Sequence, residues 1–141
     1  MKLSARLLTS DDYHNTLTKW WKDWRWTPPS VDFLPDNFNG IMVSYGDVDV
    51  CACFLYMTNS NIVWMEFIIS NFEVKDRDVR NKSMEYMINI VKGIAKDFNR
   101  KYVMSNVKNP SLINRLSESG FHKGSSNVQE LIYIVKNGST N

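Results

Sequence analysis

Residues 62–121, IVWMEFIISNFEVKDRDVRNKSMEYMINIVKGIAKDFNRKYVMSNVKNPSLINRLSESGF, decide the fold. Ile62–Ser70 is dense in β-branched and aromatic residues and reads as a strand covered on both faces. From Asp76 the period changes. Met84, Met87, Ile88, Val91, Ile94, Ala95 and Phe98 recur at helical spacing, with Lys82, Glu85, Asn89, Lys92 and Lys96 opposite. Lys101–Asn106 follows as a short strand. A strand–helix–strand unit with short links predicts that Ile62–Ser70 and Lys101–Asn106 are parallel neighbours. Asn109 then offers an N-cap with Pro110 at the first helical position, and Gly120 is placed to end that short helix.

Toward the N-terminus, Lys2–Leu8 is a strand candidate, and Thr9-Ser10-Asp11-Asp12 is rich in helix-capping residues. Tyr13, Leu17, Trp20, Trp21 and Trp24 form one apolar stripe at intervals of three and four, ended by Thr27-Pro28-Pro29-Ser30. Ile41–Tyr45 and Val48–Met57 flank Gly46-Asp47, a hairpin turn, and Asn59-Ser60-Asn61 is a second turn. Toward the C-terminus, Phe121–Lys123 and Val128–Val135 are strand candidates, and 137–141 reads as a flexible tail. The predicted order is β-α-β-β-β-α-β-α-β-β, an α/β (α+β) chain with a mixed sheet. Residues 1–136 form one domain, as 141 residues rarely split into two cores.

Composition excludes several classes. With 43% hydrophobic and 13% aromatic residues the chain has material for a core, and no apolar run is long enough to span a membrane. The first residues lack the apolar stretch of a secretory signal, which points to the cytoplasm. Residues 1–70 carry five Lys/Arg against eight Asp/Glu (−3), and residues 71–141 carry twelve against seven (+5). Such a surplus in the second half suits an anionic ligand or a solvated helix face. A net charge of +2 without a contiguous basic and aromatic surface argues against a nucleic-acid binder. Cys51 and Cys53 lie on one strand face and, with His14 and His122, lack metal-ligand spacing; buried thiols and no metal are expected. No Ser-His-Asp signature, Walker loop or Gly-rich dinucleotide turn occurs.

In element order, and in the helix–strand–Asn109–helix–Gly120-Phe121 ending, the chain resembles the GNAT N-acetyltransferase superfamily. Thr27-Pro28-Pro29, Leu34-Pro35, Gly40, Phe54-Leu55-Tyr56, Trp64-Met65-Glu66 and Arg80-Asn81-Lys82-Ser83-Met84 look like the small GNAT-type proteins of bacteriophages. The resemblance implies a GNAT-like acyl-CoA N-acyltransferase fold and acetyl transfer from acetyl-CoA to an unidentified amine, of a small molecule or a protein, in the host cytoplasm. It implies that Ile62–Ser70 splays from its neighbour and that Phe67, Ile68, Ile69 and Ser70 pair with the pantetheine arm. The segment from Asn71 to Ser83 would be the loop that wraps the pyrophosphate, with Lys75, Arg77, Arg80, Asn81, Lys82 and Ser83 in it and Asn109 beside the CoA arm. The family's small loop positions fall on Asp78, Asn81 and Ser83, and no glycine occurs between Gly46 and Gly93.

Many members place a tyrosine acid four residues before the Gly-Phe pair; here that residue is Leu116. Others use a glutamate base on the splayed strand, which makes Glu66 the catalytic candidate. It reads equally as an edge carboxylate paired with Lys or Arg. Strict alternation would put Trp64, Glu66 and Ile68 on one face and Met65, Phe67 and Ile69 on the other. Trp26 could line an acceptor pocket or anchor its loop. The alternative from another class keeps the fold without the chemistry, as a binding or structural host-interaction module. Edge strands and a Trp-rich surface suit a homodimer.

Overall fold

The computed structural model describes residues 2–136; the predicted tail lies outside them. Among the described residues five strands form one sheet in chain order: β1 (Leu3–Leu7), β2 (Gly40–Tyr45), β3 (Val48–Met57), β4 (Ile62–Ser70) and β5 (Tyr102–Met104). All neighbours are antiparallel except β4 and β5, which are parallel through Ile62↔Tyr102, Val63↔Val103 and Trp64↔Met104. The crossover between them is the helix α2 (Arg77–Asp97). The parallel pair expected from the strand–helix–strand pattern is therefore present.

Two apolar layers sandwich the sheet. On one face Met84, Met87, Ile88, Val91 and Ala95 of α2 pack with Leu116 of α3 (Pro110–Glu118) against Val43, Cys51, Cys53, Val63 and Met65. On the other, Tyr13, Leu17, Trp20 and Trp21 pack against Met42, Ala52, Phe54 and Ile69. These four residues lie on one helix, wound as a π-helix over Asp12–Leu17 and as α1 over Thr18–Asp23. Each fully buried aliphatic side chain stabilises the fold by about 1.5–3 kcal/mol.

Caps stand where the sequence places them. Thr9 and Asp12 exchange hydrogen bonds at the start of the first helix. The Asn109 side chain accepts from the N–H groups of Ser111 and Leu112. Gly120 at φ 101° ends α3, with its own N–H on the Ser117 carbonyl and that of Phe121 on Leu116.

Four expectations change. The α2 helix begins at Arg77, because the Asp76 carboxylate accepts from the N–H groups of Asp78 and Val79; the expected loop through Ser83 shrinks to residues 71–76. Phe98 lies past the end of α2 and is exposed, not part of the buried stripe. β5 stops at Met104, since Ser105 turns its hydroxyl to the Met65 carbonyl and Asn106 donates its N–H to Glu66. No strand forms at Phe121–Lys123 or Val128–Val135, so the described order ends at α3. Strand composition persists there without a hydrogen-bonded neighbour, and a strand exists only by pairing.

Two tests of the scaffold arise from its closest contacts. A Cβ on Gly40 would stand 2.3 Å from the Cys53 carbonyl oxygen and 2.7 Å from a Leu8 methyl. Gly40→Ala should therefore destabilise the fold by about 1–3 kcal/mol or more, read as a lowered Tm. Asp12 is buried and bidentate to Arg6 at 2.7 and 2.8 Å. The Arg6 guanidinium holds its carboxyl below the usual carboxylate range, helped by the Thr9 N–H against the cost of burial. A depressed pKa means that this stabilisation is present above the ordinary value and is lost as pH falls through the depressed one. Asp12→Asn should cost about 1–3 kcal/mol at neutral pH and flatten the acid limb of the Tm profile.

Candidate active site

The site begins with a mismatch of length: β5 accompanies β4 only to Trp64, while β4 continues to Ser70. Beyond that point no strand pairs with the β5 side of β4 among the described residues. At the same place β4 carries an extra residue. Phe54 pairs with Glu66 and Ala52 with Ile69, so a bulge at Phe67 and Ile68 opposes Cys53, with Phe67 at φ 53°.

The bulge overturns simple alternation. Val63 and Met65 face α2, yet Phe67 and Ile69 pack with the first helix and Ile68 packs on the α2 side. Glu66, opposite Phe54, and Phe67 both turn toward the first helix. Only an inserted residue produces such a reversal.

At the C-terminal end of β4 lies a cleft of about 760 Å³. Ile68, Ile69 and Ser70 form its floor, and Arg77, Arg80, Asn81 and Met84 of α2 form one wall. Asn109, Ser111, Leu112 and Arg115 of α3 form the other, and Trp24, Trp26 and Lys75 close the mouth. Four cations and no carboxylate line it among the described residues. Trp24 is the organising side chain. Its indole N–H donates to the Ser70 carbonyl at 2.8 Å, its ring stacks on Trp26 with centroids 5.7 Å apart, and Phe72 meets it edge-on at 4.8 Å. The Arg80 guanidinium lies 5.6 Å from its ring centre, and Lys75 sits 3.7 Å over Phe72. Arg115 donates to the Asn81 side-chain oxygen. Aromatic faces and an amide thus hold three cations that would otherwise repel one another.

The sequence candidates divide. Ile68, Ile69, Ser70, Arg77, Arg80, Asn81 and Asn109 line the cleft together. Phe67 is turned to the first-helix core. Lys82 points elsewhere and pairs with Asp78 at 3.0 Å. Ser83 is fully buried beneath the helix, its hydroxyl without a partner among the described residues. The helix N-terminus is already engaged by Asp76, so the N–H groups of Asp78 and Val79 are not free for an anion. Trp26 lines the mouth of the cleft, stacked on Trp24. Sequence reading missed Arg115 and Trp24. The available signal for Arg115 was its spacing from Leu112, three residues on along the same face of α3.

Glu66 stands where the two strands part. Its carboxylate accepts the Asn106 N–H at 2.7 Å, and it forms no ion pair among the described residues. Burial pushes its carboxyl above the ordinary value; the Asn106 N–H and Ser105 hydroxyl pull the other way, and Glu130 adds to the rise. Tyr56, whose phenol donates to the Phe33 carbonyl, is pushed up to about 12 by burial and by Glu66. Leu116 is buried in the α2-side core and presents no proton donor. Burial pushes the Cys51 thiol up to about 12 and Cys53 higher still, so neither is a nucleophile near neutral pH. No group of three His, Cys, Asp or Glu side chains that could hold a metal ion occurs among the described residues.

The architecture is similar to that of solved acetyltransferases. A probable acetyltransferase from Staphylococcus epidermidis shares 17% identity over 88% of this chain and 86% of its own, with a TM-score of 0.64. The ribosomal-protein-S18-alanine N-acetyltransferase from Escherichia coli shares 10% over 88% and 80%, at 0.64. A GNAT family acetyltransferase from Staphylococcus aureus shares 14% over 94% and 100%, at 0.59. No protein-family model matches the chain, and no curated protein matches it in sequence. At these identities the likeness concerns the fold, which is that of the GNAT acyl-CoA N-acyltransferases.

Proposed function

We propose that the chain is an acetyl-CoA-dependent N-acetyltransferase whose acceptor amine meets the acetyl group where β4 and β5 part. One observation carries the reading: the unpaired end of β4 opens into a cleft lined by four cations and no carboxylate among the described residues. The donors suit a polyanionic nucleotide. Arg77, Arg80, Arg115 and Lys75 would hold its phosphates, in place of the helix N-terminus that Asp76 already caps. The backbone of Ile68–Ser70, which has no strand neighbour on its β5 side among the described residues, would pair with the pantetheine amides, and Asn109 and Ser111 would flank that arm. Phe67 and Ser83 would act behind this surface, through the bulge and the packing of α2, while Lys82 stands outside it, paired with Asp78.

Acetyl-CoA would supply a thioester whose acyl carbon accepts the amine lone pair as the carbon–sulfur bond breaks. Glu66 would take the proton that the attacking amine loses, and burial raises its carboxyl in the direction a base working near neutral pH requires. The acceptor, a small-molecule or protein amine, would be selected by the first helix, Trp26–Leu34 and the chain after α3. The reaction would take place in a bacterial host cytoplasm, as the resemblance of Thr27-Pro28-Pro29 and Trp64-Met65-Glu66 to small phage proteins implies. No helix among the described residues is long and apolar enough to cross a membrane.

A second reading, a binding module that keeps the fold without the chemistry, rests on Leu116, a buried apolar residue where an acid for the departing thiolate would stand. Calorimetry with acetyl-CoA, followed by thiol release over a panel of primary amines, separates the two. Saturable heat and acceptor-dependent thiol release are expected. No heat and no thermal shift at millimolar acetyl-CoA would overturn the enzymatic reading.

A further inference from the structure

Trp26 is 49% exposed at the mouth of the cleft, although tryptophan is among the side chains that gain most from burial. The backbone fixes it there all the same. Past the end of α1, Arg25 takes the left-handed conformation at φ 64°, with its N–H on the Lys22 carbonyl, and the Trp26 N–H reaches back to the Trp21 carbonyl at 2.8 Å. Glycine usually makes such a helix stop, and an arginine holds that backbone against its own Cβ. Thr27-Pro28-Pro29 then stiffens the chain that leads away, and the Tyr13 phenol donates to the Pro29 carbonyl. The product is an indole stacked on Trp24, with ring planes 20° apart. Stacking covers one face of the ring, and the exposure leaves the other open.

The place of this open face along the cleft says what it meets. Trp24, beneath it, is bonded to the Ser70 carbonyl at the far end of β4 and carries Arg80 over its ring. The other end of the same connection lies elsewhere. The Tyr56 phenol donates to the Phe33 carbonyl, and Tyr56 pairs with Trp64 and feels the charge of Glu66. Phe33 therefore stands toward the reacting end, and Trp26 toward the cations Lys75, Arg77, Arg80 and Arg115. A flat aromatic face beside a cluster of cations is the chemistry that recognises a nucleotide, the cations taking phosphate and the ring taking the base. It does not suit a positively charged amine, since no carboxylate lines the cleft among the described residues.

We propose that Trp26 is the platform on which the purine base of acetyl-CoA stacks, so that the acetyl group comes from the free nucleotide and not from pantetheine carried on a protein. The assignment rests on the acetyl-transfer reading above and adds a base subsite to it. The ligand is then held at three points: its thioester where β4 and β5 part, its phosphates among the cations, and its base on the indole. Because the turn at Arg25, the two prolines and Trp24 already fix the ring, the base would dock without ordering a new side chain.

Ribose-phosphorylated ADP, the nucleotide half of acetyl-CoA without its pantetheine, should quench the tryptophan fluorescence of the wild type saturably. Trp26→Ala should weaken this nucleotide and acetyl-CoA alike by about 10-fold to 100-fold, the range of one base–aromatic stack, and leave acetyl-phosphopantetheine, which lacks the base, unchanged. Trp26→Tyr, which keeps a ring, should recover most of the loss. With Trp26 half exposed, both variants should melt close to the wild type. Equal binding of nucleotide and acetyl-CoA by the wild type and Trp26→Ala would overturn the platform and leave acetyl transfer standing. A loss shared equally by acetyl-phosphopantetheine would move Trp26 to the thioester end and also overturn it. Nucleotide binding that depends on Trp26, without thiol release from acetyl-CoA, would uphold the platform and remove the acetyl-transfer reading. No binding of either ligand at millimolar concentration would overturn both.

Discussion

Replacing Arg80 and Arg115 together by alanine should weaken acetyl-CoA binding by about two to four orders of magnitude, since a charge-assisted hydrogen bond contributes about 1.5–3 kcal/mol. The two side chains face each other across the cleft, Arg80 from α2 and Arg115 from α3, so neither can substitute for the other. Both are held in place, Arg80 by the Trp24 ring and Arg115 by Asn81, which lowers the entropy lost on binding. Lys82→Ala is the matched control: the same charge is removed four residues from Asp78, outside the cleft, and affinity should hardly change. The loss in the double variant should shrink as salt is raised in the wild-type comparison, because partly exposed charges are screened. Calorimetry at two ionic strengths reads both effects. Equal losses for Lys82→Ala and the cleft arginines would show that general surface charge, not this cleft, attracts the nucleotide.

The same residues show how far a sequence of this kind can be read. The stripe Met84–Ala95, the hairpin about Gly46-Asp47 and the Asn109-Pro110 cap were legible because each is a local rule with a local residue to enforce it. The bulge at Phe67 was not legible. It is forced by pairing with β3 across Cys53, and no feature of Met65–Ile69 marks which residue is the extra one. The start of α2 was misplaced by a subtler route: Asp76 was visible as a change of period, but an exposed first turn has no apolar stripe to reveal it. Val128–Val135 has strand composition and no strand, because composition selects a conformation and only a neighbour supplies its hydrogen bonds. Arg115 was missed for the opposite reason, since its importance lies in facing Arg80 across two elements brought together by the crossover.

Glu66→Gln should lower turnover by about 10²–10⁴-fold, the usual contribution of general-base catalysis, while leaving fold and acetyl-CoA affinity intact. The substitution suits the local geometry. The Gln side-chain oxygen can still accept the Asn106 N–H, so the parting of β4 and β5 is preserved. Its effect on stability follows from the sign of the shift. Burial raises the Glu66 carboxyl, so the folded state favours the protonated form; this contribution is present below the ordinary value and lost as pH rises through the raised one. Gln, neutral at every pH, removes that loss, and the variant should melt no lower than the parent at neutral pH. In the parent, kcat/KM should rise with pH through the raised carboxyl as the base deprotonates, and the acid limb of that profile should vanish in the variant. A structural role for Glu66 predicts the reverse pattern: Tm falls, the acid limb persists and turnover is little changed.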